Sequence, residues 1–163
     1  MFGFIPTYKL KIGLQASDIR LVVFSFMIPH AIATLLAGKL LVPILGQWRS
    51  LKLAFGLTSF FTLIIPLADT KDWLYVIQGF NGFSLRLLFP LMLGMAIESI
   101  PHEKRATAMG VYQALYAIGM FAGPFLAGVL NSYMGIAAGF YFVGVLGVVA
   151  TLLITIWNKN QIK

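Results

Sequence analysis

Five apolar runs dominate this chain, and their length limits what it can fold into. They occupy residues 21–46, 51–68, 73–98, 106–130 and 136–157. Crossing about 30 Å of hydrocarbon takes roughly 20 apolar residues. The second run is long enough only with Leu51 and a Lys52 whose ammonium snorkels to the interface. Within lipid a backbone must satisfy its own hydrogen bonds, so the runs predict helices and an all-α, polytopic membrane protein. Composition agrees: 60% of residues are hydrophobic, 10% are charged, and mean hydropathy is +0.90. A soluble domain carries about a quarter charged residues. Residues 1–163 read as a single membrane domain in the lipid bilayer. Residues 1–20 are the remnant of a preceding helix with its outer loop, and 158–163 are a polar tail. MFGFIPTYKLK at the start has neither the basic region nor the small-residue cleavage site of a signal peptide.

The net charge of +7 does not point to nucleic acid, because the basic residues are dispersed at the ends of apolar runs rather than gathered into a patch with aromatics. They read instead as topology signals. One side collects Lys39, Arg49, Lys52, Lys104, Arg105, Lys159 and Lys163; the other has Lys9, Lys11, Arg20 and Lys71. Cytoplasmic loops carry the basic excess, so the reading is a multi-pass cell-membrane protein with its C-terminus inside. Trp48, Trp73 and Trp157 fall at span ends, where an amphipathic ring prefers the headgroup level. Without cysteine there is no disulfide and no thiolate ligand or nucleophile.

The fourth run carries Gly119, Gly123 and Gly128 with Pro124. Small residues at this spacing let another backbone approach, and Pro124 removes one helical hydrogen bond, so the expectation is a helix built to pack and bend. The cluster Pro101-His102-Glu103-Lys104-Arg105 precedes it as a polar turn. Glu98 with Glu103, Lys104 and Arg105 can form a breakable charge network or simply be solvated.

Arg86 is the sharpest single residue, because a charge near the middle of a span costs several kcal/mol or more unless paired, wetted or snorkelled. A functional role competes with one of holding the bundle together through backbone carbonyls. Gln78, Gly82 and Arg86 recur every four residues as a polar stripe, with Asn81 beside it. The stripe either looks into a cavity or bonds helices together. His30, beside Pro29, lies at the depth of Arg86 if their spans are antiparallel neighbours. It can relay a proton or, as a neutral ring, bond the carbonyl that Pro29 frees. Tyr112, Gln113 and Tyr116 can line an amphipathic path or pack. Two histidines make a metal site improbable, and no cofactor is expected. An enzyme is not expected either, since no acid/base pair, nucleophile triad or phosphate loop appears. The fifth span, polar only at Thr151 and Thr155, reads as outer scaffold.

Phe4-Ile5-Pro6-Thr7-Tyr8, Gln78-Gly79-Phe80-Asn81-Gly82 with Phe89-Pro90, and above all Pro101 to Gly128 together resemble the C-terminal half of a major facilitator superfamily transporter. The resemblance runs from the end of its helix seven through helix twelve. GMFAGPFLAG, residues 119–128, is similar to the G-x-x-x-G-P-x-x-x-G element of drug/proton antiporters, here at the pseudo-symmetric place on helix eleven. The loop from Gly38 to Arg49 departs from the family's G-x-L-x-D-R-x-G-R, having no acid and its second glycine one place late, so the cytoplasmic latch is not carried over. The resemblance implies a partial bundle of five transmembrane helices plus the remnant, which needs an N-terminal six-helix half. It further implies movement of a small solute by alternating access, with proton-coupled efflux of a drug-like compound as the first expectation. Helix ten lines the family's cavity, so Arg86 is expected to meet an anionic solute group or a carboxylate of the other half. The competing reading is a membrane interaction or regulatory protein that does not itself transport.

Overall fold

The computed structural model describes residues 16–36 and 41–161. The expectations placed on Phe4 to Tyr8 and on Gly38 to Leu40 lie outside the described residues. Among the described residues the chain is a series of helices: α1 (Ala16–Leu36), a short α2 (Val42–Leu45), α3 (Gln47–Ile64), α4 (Lys71–Ile97), α5 (Arg105–Met134) and α6 (Ala138–Gln161). Five stretches among the described residues are long and apolar enough to cross a membrane. The first helix starts inside the stretch expected to be remnant and loop. Within the 21–46 run the described residues form α1 up to Leu36 and the short α2 over Val42–Leu45, which Gly46 closes.

Local chemistry sets the turns. Gly46 (φ 79°) and Gly135 (φ 89°) take left-handed backbone where the chain leaves α2 and α5. Thr70 caps α4 by accepting from the Trp73 amide at 3.4 Å. The Asn131 side chain accepts from the Gly139 amide at 2.7 Å and ties the end of α5 to the start of α6. Pro29, Pro90 and Pro124 lie inside α1, α4 and α5. Each removes one backbone donor without ending its helix.

The helices pack in the order α1 on α4, α4 on α3, α3 on α6 and α6 on α5, with a lighter contact between α4 and α5. Val22, Ile65, Ala68, Leu74, Ile77 and Phe140 form one apolar cluster. Ala33, Leu51, Ala54, Leu87, Leu88 and Leu91 form the other. Between them along α3 and α4 lie buried Ser59, Thr62, Gln78, Asn81 and Ser84. Ser59 and Ser84 donate to the carbonyls of Phe55 and Phe80 on their own helices, at 2.7 and 2.8 Å. Their hydroxyls thus enter the membrane interior already satisfied.

Two close approaches hold the bundle. On α4, a Cβ added to Gly82 would collide with the Phe26 carbonyl, and one on Gly79 would sit 3.3 Å from the Ser25 carbonyl. On α6, Gly144 and Gly147 leave room for Leu63 and Ser59 of α3. The outer-scaffold helix is therefore the one that α3 grips most closely. In contrast, nothing among the described residues comes within 4 Å of a Cβ on Gly119 or Gly123, and Ala127 is the buried residue of α5.

These contacts predict opposite outcomes for one substitution at different glycines. Gly82→Ala and Gly147→Ala should each destabilise the chain by about 1–3 kcal/mol through overpacking. Gly119→Ala should be neutral or stabilising by up to about 1 kcal/mol through helix propensity. Unfolding midpoints in SDS titrations of the purified chain measure the difference.

Candidate functional site

The α1/α4 seam carries most of the polar groups singled out by sequence. These two helices run parallel, not antiparallel: Asp18 meets Lys71, His30 meets Gly82 and Thr34 meets Arg86. The reason is topological, since two crossings separate the start of α1 from that of α4. His30 consequently lies one helical turn from the level of Arg86. At the helix starts Lys71 Nζ pairs with Asp18 Oδ2 at 3.4 Å, and the Tyr75 hydroxyl reaches Asp18 Oδ1 at 3.5 Å.

His30 bonds a carbonyl, but not the one that Pro29 frees. Pro29 leaves the Ser25 carbonyl without its usual amide, and it is Gly79 that packs against this oxygen. His30 Nδ1 instead lies 3.1 Å from the Gly82 carbonyl on α4. A carbonyl only accepts, so Nδ1 carries the hydrogen and the Nε2 lone pair is left over. The imidazole stacks on Phe26 with ring centroids 5.4 Å apart.

One turn further, Thr34 Oγ1 donates to the His30 carbonyl at 3.1 Å and accepts from Arg86 Nε at 2.8 Å. This single hydroxyl positions the guanidinium. Arg86 is half-buried, fifteen residues beyond Lys71 and eleven before Ile97, which bound α4. Its terminal nitrogens make no hydrogen bond among the described residues. The five acidic residues of the chain are Asp18, Asp69, Asp72, Glu98 and Glu103, and every one stands at a span end.

Gln78 and Asn81 do not share the half-open setting of Arg86. They are 1% and 0% exposed, so the four-residue stripe divides into buried amides and an accessible guanidinium. Gln78 Nε2 finds no hydrogen-bond partner among the described residues. Three residues past Arg86, Phe89 joins Tyr112 and Tyr116 of α5. Ring centroids are 5.6 Å apart for Phe89 and Tyr112, 4.9 Å for Phe89 and Tyr116, and 6.3 Å for the two tyrosines. The Tyr112 hydroxyl approaches the Phe89 carbonyl at 3.5 Å, while Gln113 is exposed and makes no hydrogen bond among the described residues. Glu98 and Glu103 form no ion pair among the described residues, and Arg105 Nε donates to the Ile100 carbonyl at 3.0 Å.

A groove of about 550 Å³ also opens between α1 and α4, lined by Ser25, Pro29, Tyr75, Val76, Phe80 and Phe83 among others. Its hydroxyls are already engaged, Ser25 with the Val22 carbonyl and Tyr75 with Asp18, so it supplies no free group to orient a solute. Sequence reasoning missed Thr34 and undervalued Phe89 as a site residue. Both carry a helical signal: Thr34 is four residues past His30, and Phe89 is three past Arg86.

A family model described as Major Facilitator Superfamily matches residues 1–161. An uncharacterized MFS-type transporter of Methanocaldococcus jannaschii is 24% identical over 166 residues, covering 96% of this chain and 42% of its own length. Quinolone resistance protein NorA of Staphylococcus aureus is 24% identical over 149 residues, covering 91% of this chain and 38% of its own length. The chain thus spans about two fifths of the length of the curated relatives it matches.

The Thr34 tie can be tested by shape. Thr34→Val keeps the volume and leaves Arg86 Nε without its acceptor, so it should cost about 1–2 kcal/mol. Thr34→Ser keeps the hydroxyl and should stay within about 0.5 kcal/mol of the parent. The same SDS titration reads both.

Proposed function

The chain belongs to the Major Facilitator Superfamily, and on that premise we propose that it is the carboxy-terminal half of a secondary transporter. The transporter moves a small solute by alternating access, as proton-coupled efflux of a drug-like compound, and the C-terminal tail faces the cytoplasm. The observation that carries this reading is the Arg86 constellation. A guanidinium is held midway along α4 by Thr34, one turn from His30, and three residues before Phe89, which packs against Tyr112 and Tyr116. Its terminal nitrogens are unused among the described residues. A membrane protein keeps such a charge at midspan when it serves a pathway.

Two further features support the finer parts. His30 Nδ1 is occupied by the Gly82 carbonyl, so Nε2 is the position at which a coupling proton is taken up or released. Gly119 and Gly123 present a face that no described residue approaches, suited to the close contact an alternating bundle makes and breaks. The drug-like solute follows the Staphylococcus aureus relative, whose name is that of a quinolone resistance protein.

The test is transport by the assembled protein. Co-expressed with the six-helix half that completes it, the chain should lower cellular accumulation of a fluorescent quinolone several-fold. A protonophore should restore that accumulation. Expressed without that half, it should leave accumulation at the vector level. Assembly without any change in accumulation of this or other drug-like compounds would give the ground to the non-transporting interaction protein.

A further inference from the structure

We propose that the solute recognised by this site is an organic anion: a carboxylate, or an acid group of the same shape, carried on a flat aromatic ring. The inference rests on the transport reading above and names the substrate class that the same site selects.

Charge is the first argument. Arg86 uses Nε on Thr34, and its two terminal nitrogens, a planar pair of N–H forks, have no partner among the described residues. No acidic residue of the chain stands along the interior of a span, so this chain supplies no counter-ion at that depth. An arginine at midspan needs compensation. The geometry that a guanidinium satisfies best is a carboxylate taken side-on by two N–H groups. Because Thr34 fixes the Nε edge, the Nη edge is what remains to face a ligand.

The rings are the second argument. Phe89 lies three residues beyond Arg86 on α4, so the two are neighbours on the helix surface, with Cβ atoms roughly 5–6 Å apart. Tyr116 meets the Phe89 ring edge-on, with planes at 66°, and Tyr112 and Tyr116 are near parallel at 18°. The resulting aromatic wall complements a flat ring whose acid group is attached directly or through one methylene. A cation on the same wall would gain a cation–π contact. It would also meet an uncompensated positive charge one turn away in a low-dielectric interior, and that repulsion is the stronger term.

The assembled transporter in proteoliposomes, given three probes with one ring system, decides the matter. These are 2-naphthoate, its methyl ester, and the 2-naphthylmethyl trimethylammonium cation. Expected is a preference of at least about tenfold for the acid over both others, from the charge-assisted pair. Arg86→Gln should collapse that preference towards unity, and Arg86→Lys should retain only part of it, since a point charge lacks the fork. Equal handling of acid and ester, or a preference for the cation, with transport otherwise intact, overturns the anion assignment while leaving the transport reading standing. An acid preference that survives Arg86→Gln in a variant that assembles and transports also overturns it, because another group then selects the anion. Absence of transport for every probe and for the quinolone sinks both readings together.

Discussion

The approach of two α4 glycines to carbonyl oxygens of α1 is the contact on which the site depends. In hydrocarbon, helices gain little from burying apolar surface against each other, because lipid is equally apolar. What holds them is close packing and the polar contacts that close packing permits. Gly82 lets the backbone of α4 settle on the Phe26 carbonyl, and Gly79 covers the Ser25 carbonyl that Pro29 leaves without an amide. With the two axes this near, His30 reaches the Gly82 carbonyl and Arg86 reaches Thr34. A wider separation would withdraw both hydrogen bonds, leaving a ring and a guanidinium to find other partners inside a membrane.

The second close approach, between α3 and α6, has a different consequence. Gly144 and Gly147 admit Leu63 and Ser59, while Thr151 and Thr155 return their hydroxyls to carbonyls one turn back at 2.8 Å. The threonines of α6 satisfy themselves, so its apolar stretch can lie against α3 and face lipid elsewhere. Bracing on one flank and polar tethering on the other leave α5 lightly held, tied by Asn131 at one end and the Phe89 aromatic cluster near the other. The helix richest in the family's glycine pattern is thus the least covered by the described chain.

How much of this was legible in sequence follows from which forces act locally. Span number and helical character could be read because hydropathy and backbone satisfaction act residue by residue. The turn at Gly46 was harder, since Val42, Pro43, Ile44 and Leu45 are as apolar as the span before them and only the glycine marks it. The glycine pattern on α5 drew attention to the wrong close contact within this chain, because sequence shows that a backbone can be approached and not what approaches it. Gly144 and Gly147 carried the same information in a helix dismissed as scaffold. Arg86 was legible from its cost alone. Its partner Thr34 required knowing that α1 and α4 lie side by side and parallel, a tertiary fact that no local pattern encodes. Gln78 and Asn81, placed on a common stripe with Arg86, illustrate the limit of wheel arithmetic. A drift of some 40° per four residues is enough to carry one end of the stripe into the bundle and the other to its edge.

Family membership and site chemistry answer different questions here. Membership identifies the bundle and its general task, and at 24% identity to relatives of more than twice its length it says little about the solute. The site is more specific because charge in a membrane interior cannot be left unaccounted. Five acids stand at span ends and one arginine stands at midspan, so this chain places positive charge, and no negative charge, in the membrane interior. On the transport reading proposed above, a cation would require carboxylates from a completing half to overcompensate that charge, at the cost of their own desolvation. An anion needs no such addition: its own charge completes a pair that Thr34 and α4 have already oriented on one side.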